Sequence, residues 1–441
     1  MSQFTPATSG AAGELDPSFG PLRDGKLVLI YPDFESTNGQ LVSEAPDGKI
    51  YIGGSSSSPD TEVAEHFTLT RVLSNGTLDH DFGLAGTKHV RLPLPGTAGL
   101  GTTPHQLFYI RDKEEDKILI SVGSHTLGVG SATETNYLVR LTLNGELDKS
   151  FGNDGILILN PPLEINFDQP LTSDVMQSGN TSSSRSVHTQ DGKIYVISSA
   201  VEPGIAGRIA RVMRYDYDGE PDLTFNKTGY TSLSEVFKAR SSFNDIVVQD
   251  GKITVCGWAG SGALLARLNF DGSFDKSFAG DGYKLLEGQD FQFTALAVLP
   301  DGRTVATGFG FSNRHGLLAA YTPGGQIDRT FNQGAPVYEN FDNSASVMFM
   351  GIGSNDGKII VSGRYIVGQT PQVVTARYLV DGQRDTTFGK GKGWVIPDLS
   401  GYIPRAWGMS LQADGKILVI SSHHPGYFGR AVIVTRLLNS V

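Results

Sequence analysis

Two short motifs alternate along this 441-residue chain, seven copies of each in fixed order, and nothing else in the sequence constrains the fold as much. One is Asp-x-x-Phe, with its phenylalanines at Phe19, Phe82, Phe151, Phe225, Phe278, Phe331 and Phe388, 53 to 74 residues apart. The other has the form Asp-Gly-Lys-Ile-x-Val-x-Gly and starts at Asp47, Glu115, Asp191, Asp250, Asp301, Asp356 and Asp414. Repetition of this kind means one supersecondary unit packed against copies of itself. The unit around residues 292–331 holds four short apolar runs separated by turns at Asp301-Gly302 and Gly324-Gly325, the last run carrying the Asp-x-x-Phe. Apolar β-formers bounded by such pairs signal hairpins. No segment keeps a helical period. The chain is therefore expected to be all-β: a seven-bladed β-propeller with four strands per blade, radial repetition leaving only short sheet edges.

The order of the motifs also predicts how the ring closes. The last copy, residues 414–441, stops after its third strand, whereas the chain opens on "GELDPSFG", a fourth strand without a third. Residues 13–20 are thus expected to supply the outer strand of blade seven. Residues 1–12 would be a tail, and residues 13–441 a single propeller.

Arg71, Arg140, Arg214, Arg267 and Arg377 each precede the aspartate of their own Asp-x-x-Phe by eight residues, and Arg436 would face Asp16 across the closure. If the intervening turn ends in a left-handed glycine, as in Phe270-Asp271-Gly272, residues 269 and 273 pair and Arg267 lies opposite Asp275. Such pairs fix register rather than perform chemistry. Blade five departs from the pattern, because Ala320 stands where the arginine should and leaves Asp328 without this partner.

These recurring "DGKI-V-G" and "RL--DG-LD-SFG" elements resemble the delta-60 repeat family of bacterial propeller-like proteins over about residues 13–441. Ala320 and the "EDKILI" of blade two are the departures. The resemblance implies a propeller fold and a bacterial origin; it brings no catalytic residues with it.

Function has to be read from the rest. Net charge is -10, and no stretch concentrates Lys and Arg, which argues against nucleic acid. No run approaches 18 apolar residues, so no membrane helix is expected. The amino terminus lacks a secretory leader, pointing to a cytoplasmic protein or one exported without a cleaved Sec signal. Cys256, the only cysteine, sits in apolar "KITVCGW" and reads as a buried, inert thiol. Nucleophile elbows, zinc motifs and phosphate loops are absent from the sequence. No cofactor is expected, although "DYDGEPD" at Asp216–Asp222 and the adjacent His423-His424 leave calcium or another divalent metal open.

The turns after first and third strands are uniformly tight, whereas those after second and fourth strands are long and varied, notably residues 160–185. Loops on a rigid scaffold carry binding residues, so the long-loop face is the candidate site. It offers Arg185, Arg240, Trp258, Arg314, His315, Tyr365, Trp407, His423, His424, Tyr427 and Arg430. The expectation is a monomeric, non-enzymatic scaffold holding a protein or glycan. A hydrolase or lyase with a site assembled around the central funnel is the alternative. An exported bacterial effector or toxin module is a further one.

Overall fold

The computed structural model describes residues 10–31, 34, 36–57, 66–91, 99–112, 115–128, 131–159, 163–166, 187–190, 192–202, 205, 207–260, 262–286, 290–312, 314–341, 346–368, 370–426 and 429–439. The structure is a seven-bladed β-propeller of antiparallel sheets, four-stranded except in blade two, which has a fifth strand. From the inner strand outward, blade one is Ser36–Glu44, Ile50–Ser57, His66–Val72 and Thr87–Arg91. Blade two is Gly99–Asp112, Glu115–Gly128, Ser131–Thr142 and Ile156–Ile158; blade three is Val187–Gln190, Lys193–Val201, Arg208–Asp216 and Tyr230–Ser232. Blade four is Ser241–Gln249, Lys252–Ala259, Gly262–Asn269 and Tyr283–Leu286; blade five is Phe291–Val298, Thr304–Gly310, Gly316–Tyr321 and Val337–Glu339. Blade six is Ser346–Asn355, Lys358–Val367, Thr370–Leu379 and Trp394–Val395. Blade seven takes Pro404–Leu411, Ile417–His423 and Ala431–Leu437 from one end of the chain and Lys26–Leu29 from the other. Each inner strand packs against the inner strands on either side, blade seven against blade one included, so the ring is closed. Among the described residues there is no α-helix, and no helix long and apolar enough to cross a membrane.

The Asp-x-x-Phe element is not the fourth strand but the turn before it. Its Phe N–H donates to the Asp carbonyl, as Phe278 does to Asp275 at 2.9 Å, and Gly282 N–H then donates back to Phe278 at 2.9 Å. The backbone folds on itself and only afterwards runs extended, in blade four as Tyr283–Leu286. The closure shifts by the same amount. Lys26–Leu29, not residues 13–20, pairs with Val432–Thr435, while Leu15 makes a single bridge to Leu437. Residues 10–12 are also part of the fold, with Ala12 buried beside Phe388.

The seam copies an ordinary turn. In blade four, Asn269 N–H donates to Ser273 and Gly272 N–H to Asn269, with Gly272 at φ 90°. At the seam, Leu438 N–H donates to Glu14 and Gly13 N–H to Leu438, with Gly13 at φ 93°. Residues from opposite ends of the chain thus rebuild the missing turn without a covalent link.

On the tight-turn face six of the seven blades carry the same ion-pair spoke. Arg267 Nε donates to Asp275 Oδ2 at 2.8 Å, and its Nη1 reaches the Pro323 carbonyl in the next blade. Its guanidinium lies 4.7 Å from the ring of Phe278. Asp275 Oδ1 accepts from the N–H and hydroxyl of Ser277, which accounts for the Ser or Thr before the phenylalanine in most copies. The phenylalanine is buried, and the turn glycine of the next blade rests against it: a Cβ on Gly325 would come within 2.8 Å of the Phe278 ring. The spoke recurs at Arg71–Asp79, Arg140–Asp148, Arg214–Asp222, Arg377–Asp385 and, across the seam, Arg436–Asp16. In blade five Asp328 does have a cation. Arg303 occupies the lysine position of the neighbouring motif and reaches Asp328 at 2.9 Å and the Val380 carbonyl at 3.2 Å. One replacement has been answered by another from the adjacent strand.

Candidate binding site

Among the described residues, six of the inner strands each carry a β-bulge at the same level, in blades one, two, four, five, six and seven. Pairing with the second strand skips Gln40, His105, Asn244, Thr294, Met350 and Trp407. A bulge leaves one residue unpaired and turns it out of the ladder. The six bulges therefore project their extra residue toward the axis, where they border a cavity of about 300 Å³. In blades one, four, five and six the closing glycine of the Asp-Gly-Lys-Ile motif makes room for the bulge. A Cβ on Gly257 would stand 1.9 Å from the Ser242 carbonyl, on Gly308 1.9 Å from Gln292, and on Gly363 2.1 Å from Met348.

The bulges also expose carbonyls that hydrogen bonding between blades must satisfy. Asn244 Nδ2 donates to Phe293 at 2.6 Å and Thr294 Oγ1 to Phe349 at 2.7 Å. Met350 cannot donate, and there Arg364 Nε from the second strand reaches Ala406 at 3.0 Å. In blade seven, Ser422 Oγ serves Gly39 at 3.3 Å. Polar side chains at the axis thus stitch neighbouring blades together and line a cavity at the same time. The cavity's only carboxylate among its described lining residues, Asp245, accepts from Ile246 N–H and Leu296 N–H, both at 2.9 Å.

Most of the residues predicted for the long-loop face do sit at strand ends on that face. Arg240 lies 5.4 Å over the ring of Trp258, joining the entry of blade four to the end of its second strand. Arg314 is exposed in the loop of blade five beside half-buried His315. His423 ends the second strand of blade seven, accepts from Ile403 N–H at 2.9 Å and packs edge-on against Tyr402. Burial lowers its pKa below the ordinary 6.5. Exposed Arg430 is tied to it through Arg430 N–H to the His423 carbonyl. His424, in contrast, is buried, its N–H bonded to Ile403.

Two residues are placed elsewhere. Tyr365 is buried in blade six against Phe341 and Trp394, because its strand position points into the blade interface. Trp407 is the bulged residue of blade seven and faces the axis, with its Nε1 on Ser422 at 2.9 Å and Arg364 4.6 Å over its ring. Arg185 and Tyr427 lie outside the described residues.

The carboxylates of Asp216–Asp222 are engaged by the protein itself. Asp222 binds Arg214 and Lys193, Asp216 binds Lys193, and Asp218 accepts from Glu220 N–H. Cys256 is buried, and burial together with the Asp245 charge pushes its thiol well above the usual range. The stretch after the second strand of blade two, expected to be a loop, is instead a hairpin carried to Gly128 and Ser131, with Leu163–Asn166 added at its side. Of the axial residues only Trp407 is named from the sequence, and then for the loop face, although a signal for the set existed. In five of the six bulged blades the extra residue lies six or seven positions before the Asp of the Asp-Gly-Lys motif.

Four segments, residues 45–82, 125–151, 249–278 and 354–388, match a family described as "Domain of unknown function (DUF5122) beta-propeller", which supports a β-propeller repeat family. No curated protein sequence matches the chain. Among solved structures, Sqt1 from Chaetomium thermophilum is similar at a TM-score of 0.47 and 10% identity, over 92% of this chain and 97% of that one. Uncomplexed acylaminoacyl peptidase from Pyrococcus horikoshii is similar at 0.43 and 9%, over 93% of this chain and 53% of that one. An endo-arabinase from Bacteroides thetaiotaomicron VPI-5482 is similar at 0.30 and 9%, over 75% and 93%.

Proposed function

We propose that the chain is a non-enzymatic binding scaffold that holds a protein or glycan partner on its long-loop face. The observation that carries this reading is a set of exposed apolar side chains at strand ends on that face in three successive blades. Phe311 in blade five is 48% exposed, Val367 in blade six 45% and Ile403 in blade seven 40%, with Ile30 at the end of the outer strand of blade seven at 69%. Exposed apolar side chains on neighbouring blades mark an interaction surface; the turn face also carries exposed leucines, Leu22, Leu84 and Leu223 among them, which is why the test compares the two faces. Arg314, Arg430 and the Arg240–Trp258 stack rim it with the residue types that carry interface energy.

A hydrolase or lyase site at the axis is less well supported. General acid–base work on glycosides needs a second carboxylate, and Asp245 is the only one among the described residues around the cavity.

The test is a pull-down from host lysate with three proteins: wild type, the loop-face variant F311S/I403S, and a turn-face variant, L73S/V380S. The scaffold reading expects a partner retained by wild type and by the turn-face variant and lost by the loop-face variant. A partner lost only on the turn face, or turnover of an ester, lactone or glycoside that survives the loop-face change, would overturn it.

A further inference from the structure

We propose that the axial cavity binds a short neutral saccharide, of one or two sugar units. This site is separate from the loop face and does not depend on what that face holds. At about 300 Å³ the cavity sits at the lower end of the range occupied by small-molecule pockets.

Its lining selects the chemistry. No Lys or Arg is among the described residues that border it. What borders it is hydrogen-bonding and mostly uncharged: the amides of Gln40 and Asn244, the Thr294 hydroxyl, the His105 imidazole and the Asp245 carboxylate. Gln40 Oε1 and Asn244 Oδ1 are buried acceptors to which no described group of the protein donates, so the polar groups a ligand meets first are half-buried His105 and Asp245. A sugar hydroxyl both donates and accepts, so it pairs with planar amides and a carboxylate alike. Asp245, oriented by its two backbone donors, adds a charged acceptor, and bonds to such a group are the stronger ones.

Trp407 supplies the apolar element. Ser422 holds its N–H and Arg364 lies over its ring, so the indole plane is fixed, and the part left exposed borders the cavity. A fixed aromatic surface suits the C–H face of a pyranose, which is apolar where its rim is polar. The bulges are locked by the glycines behind them and by hydrogen bonds between blades. Little conformational entropy is then lost when a ligand enters. Asp245 and Trp407 together could also hold a quaternary ammonium, which the experiment has to separate.

Met350 and Met409 both border the cavity and provide reporters in the intact chain. Protein labelled with ¹³C at the methionine methyls is titrated with maltose, cellobiose, xylobiose and N,N′-diacetylchitobiose, and separately with tetramethylammonium. The expected result is that at least one disaccharide moves the Met350 and Met409 methyl signals saturably while the other methionines stay in place. Met350→Trp, which fills the cavity from a side chain that makes no hydrogen bond, should weaken that binding by about tenfold or more. The loop-face variant F311S/I403S should bind as wild type does. If no disaccharide moves the two signals, or only tetramethylammonium does, the proposal fails. The wild-type titration decides this by itself, even if Met350→Trp does not fold.

Discussion

A carboxylate buried between two blades persists only if every lone pair that faces protein finds a donor. Asp275 is 4% exposed and takes Arg267, Lys252 and the Ser277 hydroxyl and N–H. Removing the guanidinium leaves the charge short of its nearest partner, so Arg267→Ala should cost about 3–5 kcal/mol in urea unfolding. Lys252→Ala, with the arginine still in place, should cost about 0.2–1 kcal/mol. In blade five the order inverts: Arg303 is the only cation on Asp328 among the described residues, so Arg303→Ala should resemble Arg267→Ala rather than Lys252→Ala. Equal, small effects at Arg303 and Lys252 would contradict that assignment. All seven spoke carboxylates, Asp16, Asp79, Asp148, Asp222, Asp275, Asp328 and Asp385, titrate below their ordinary 3.8. Burial opposes their charge, but hydrogen bonds and neighbouring cations outweigh it and hold Asp275 and Asp385 at about 2. A folded value below the unfolded one means the stabilisation is complete above about pH 4 and drains away as pH falls toward 2. Denaturant midpoints measured across that window should fall steeply, and a flat profile would count against the spokes. The spacing of eight residues made the Arg–Asp pairs legible, since a hairpin with a defined turn has one register. Arg303 was not legible, because it reaches Asp328 from a different strand.

At the scale of the element, in blades one, four, five and six the glycine that ends the Asp-Gly-Lys-Ile motif records a bulge on the strand beside it. Gly257→Ala drives a methyl into the Ser242 carbonyl and should cost about 3 kcal/mol by thermal unfolding. Gly251, at φ 73° with no atom near its missing Cβ, gives the control: Gly251→Ala should cost about 1 kcal/mol. Similar losses at both positions would mean the bulge is not what the glycine serves. The bulges themselves were hard to read from sequence, because one extra residue in a strand leaves the apolar pattern on both sides intact. The Asp-x-x-Phe turn was misread for a related reason. Its Leu and Phe flank polar residues as a strand would, yet the Phe N–H bonds to the Asp carbonyl within the same segment. The hairpin of blade two was taken for a loop because its Gly, Ser and Thr residues lack the apolar alternation that marks a half-buried strand.

At the scale of the molecule, the count of blades and the pairing of the chain's two ends were both legible from the order of the motifs. The exact strand was not, since everything shifted by the length of one turn. The axial cavity and the loop face both depend on a ring that stays closed, and the closure is non-covalent. It consists of four paired residues from Lys26 to Leu29, the rebuilt turn at Gly13, and the Arg436–Asp16 spoke. Losing them would leave the Ala431–Leu437 strand as an unpaired edge, which invites association. The measurement that tests this most directly is thermal unfolding, with solution mass, of a chain lacking residues 1–29 beside the intact one. The closed-ring account expects a clearly lower Tm and self-association in the shortened chain. An unchanged Tm with a monomeric shortened chain would contradict it.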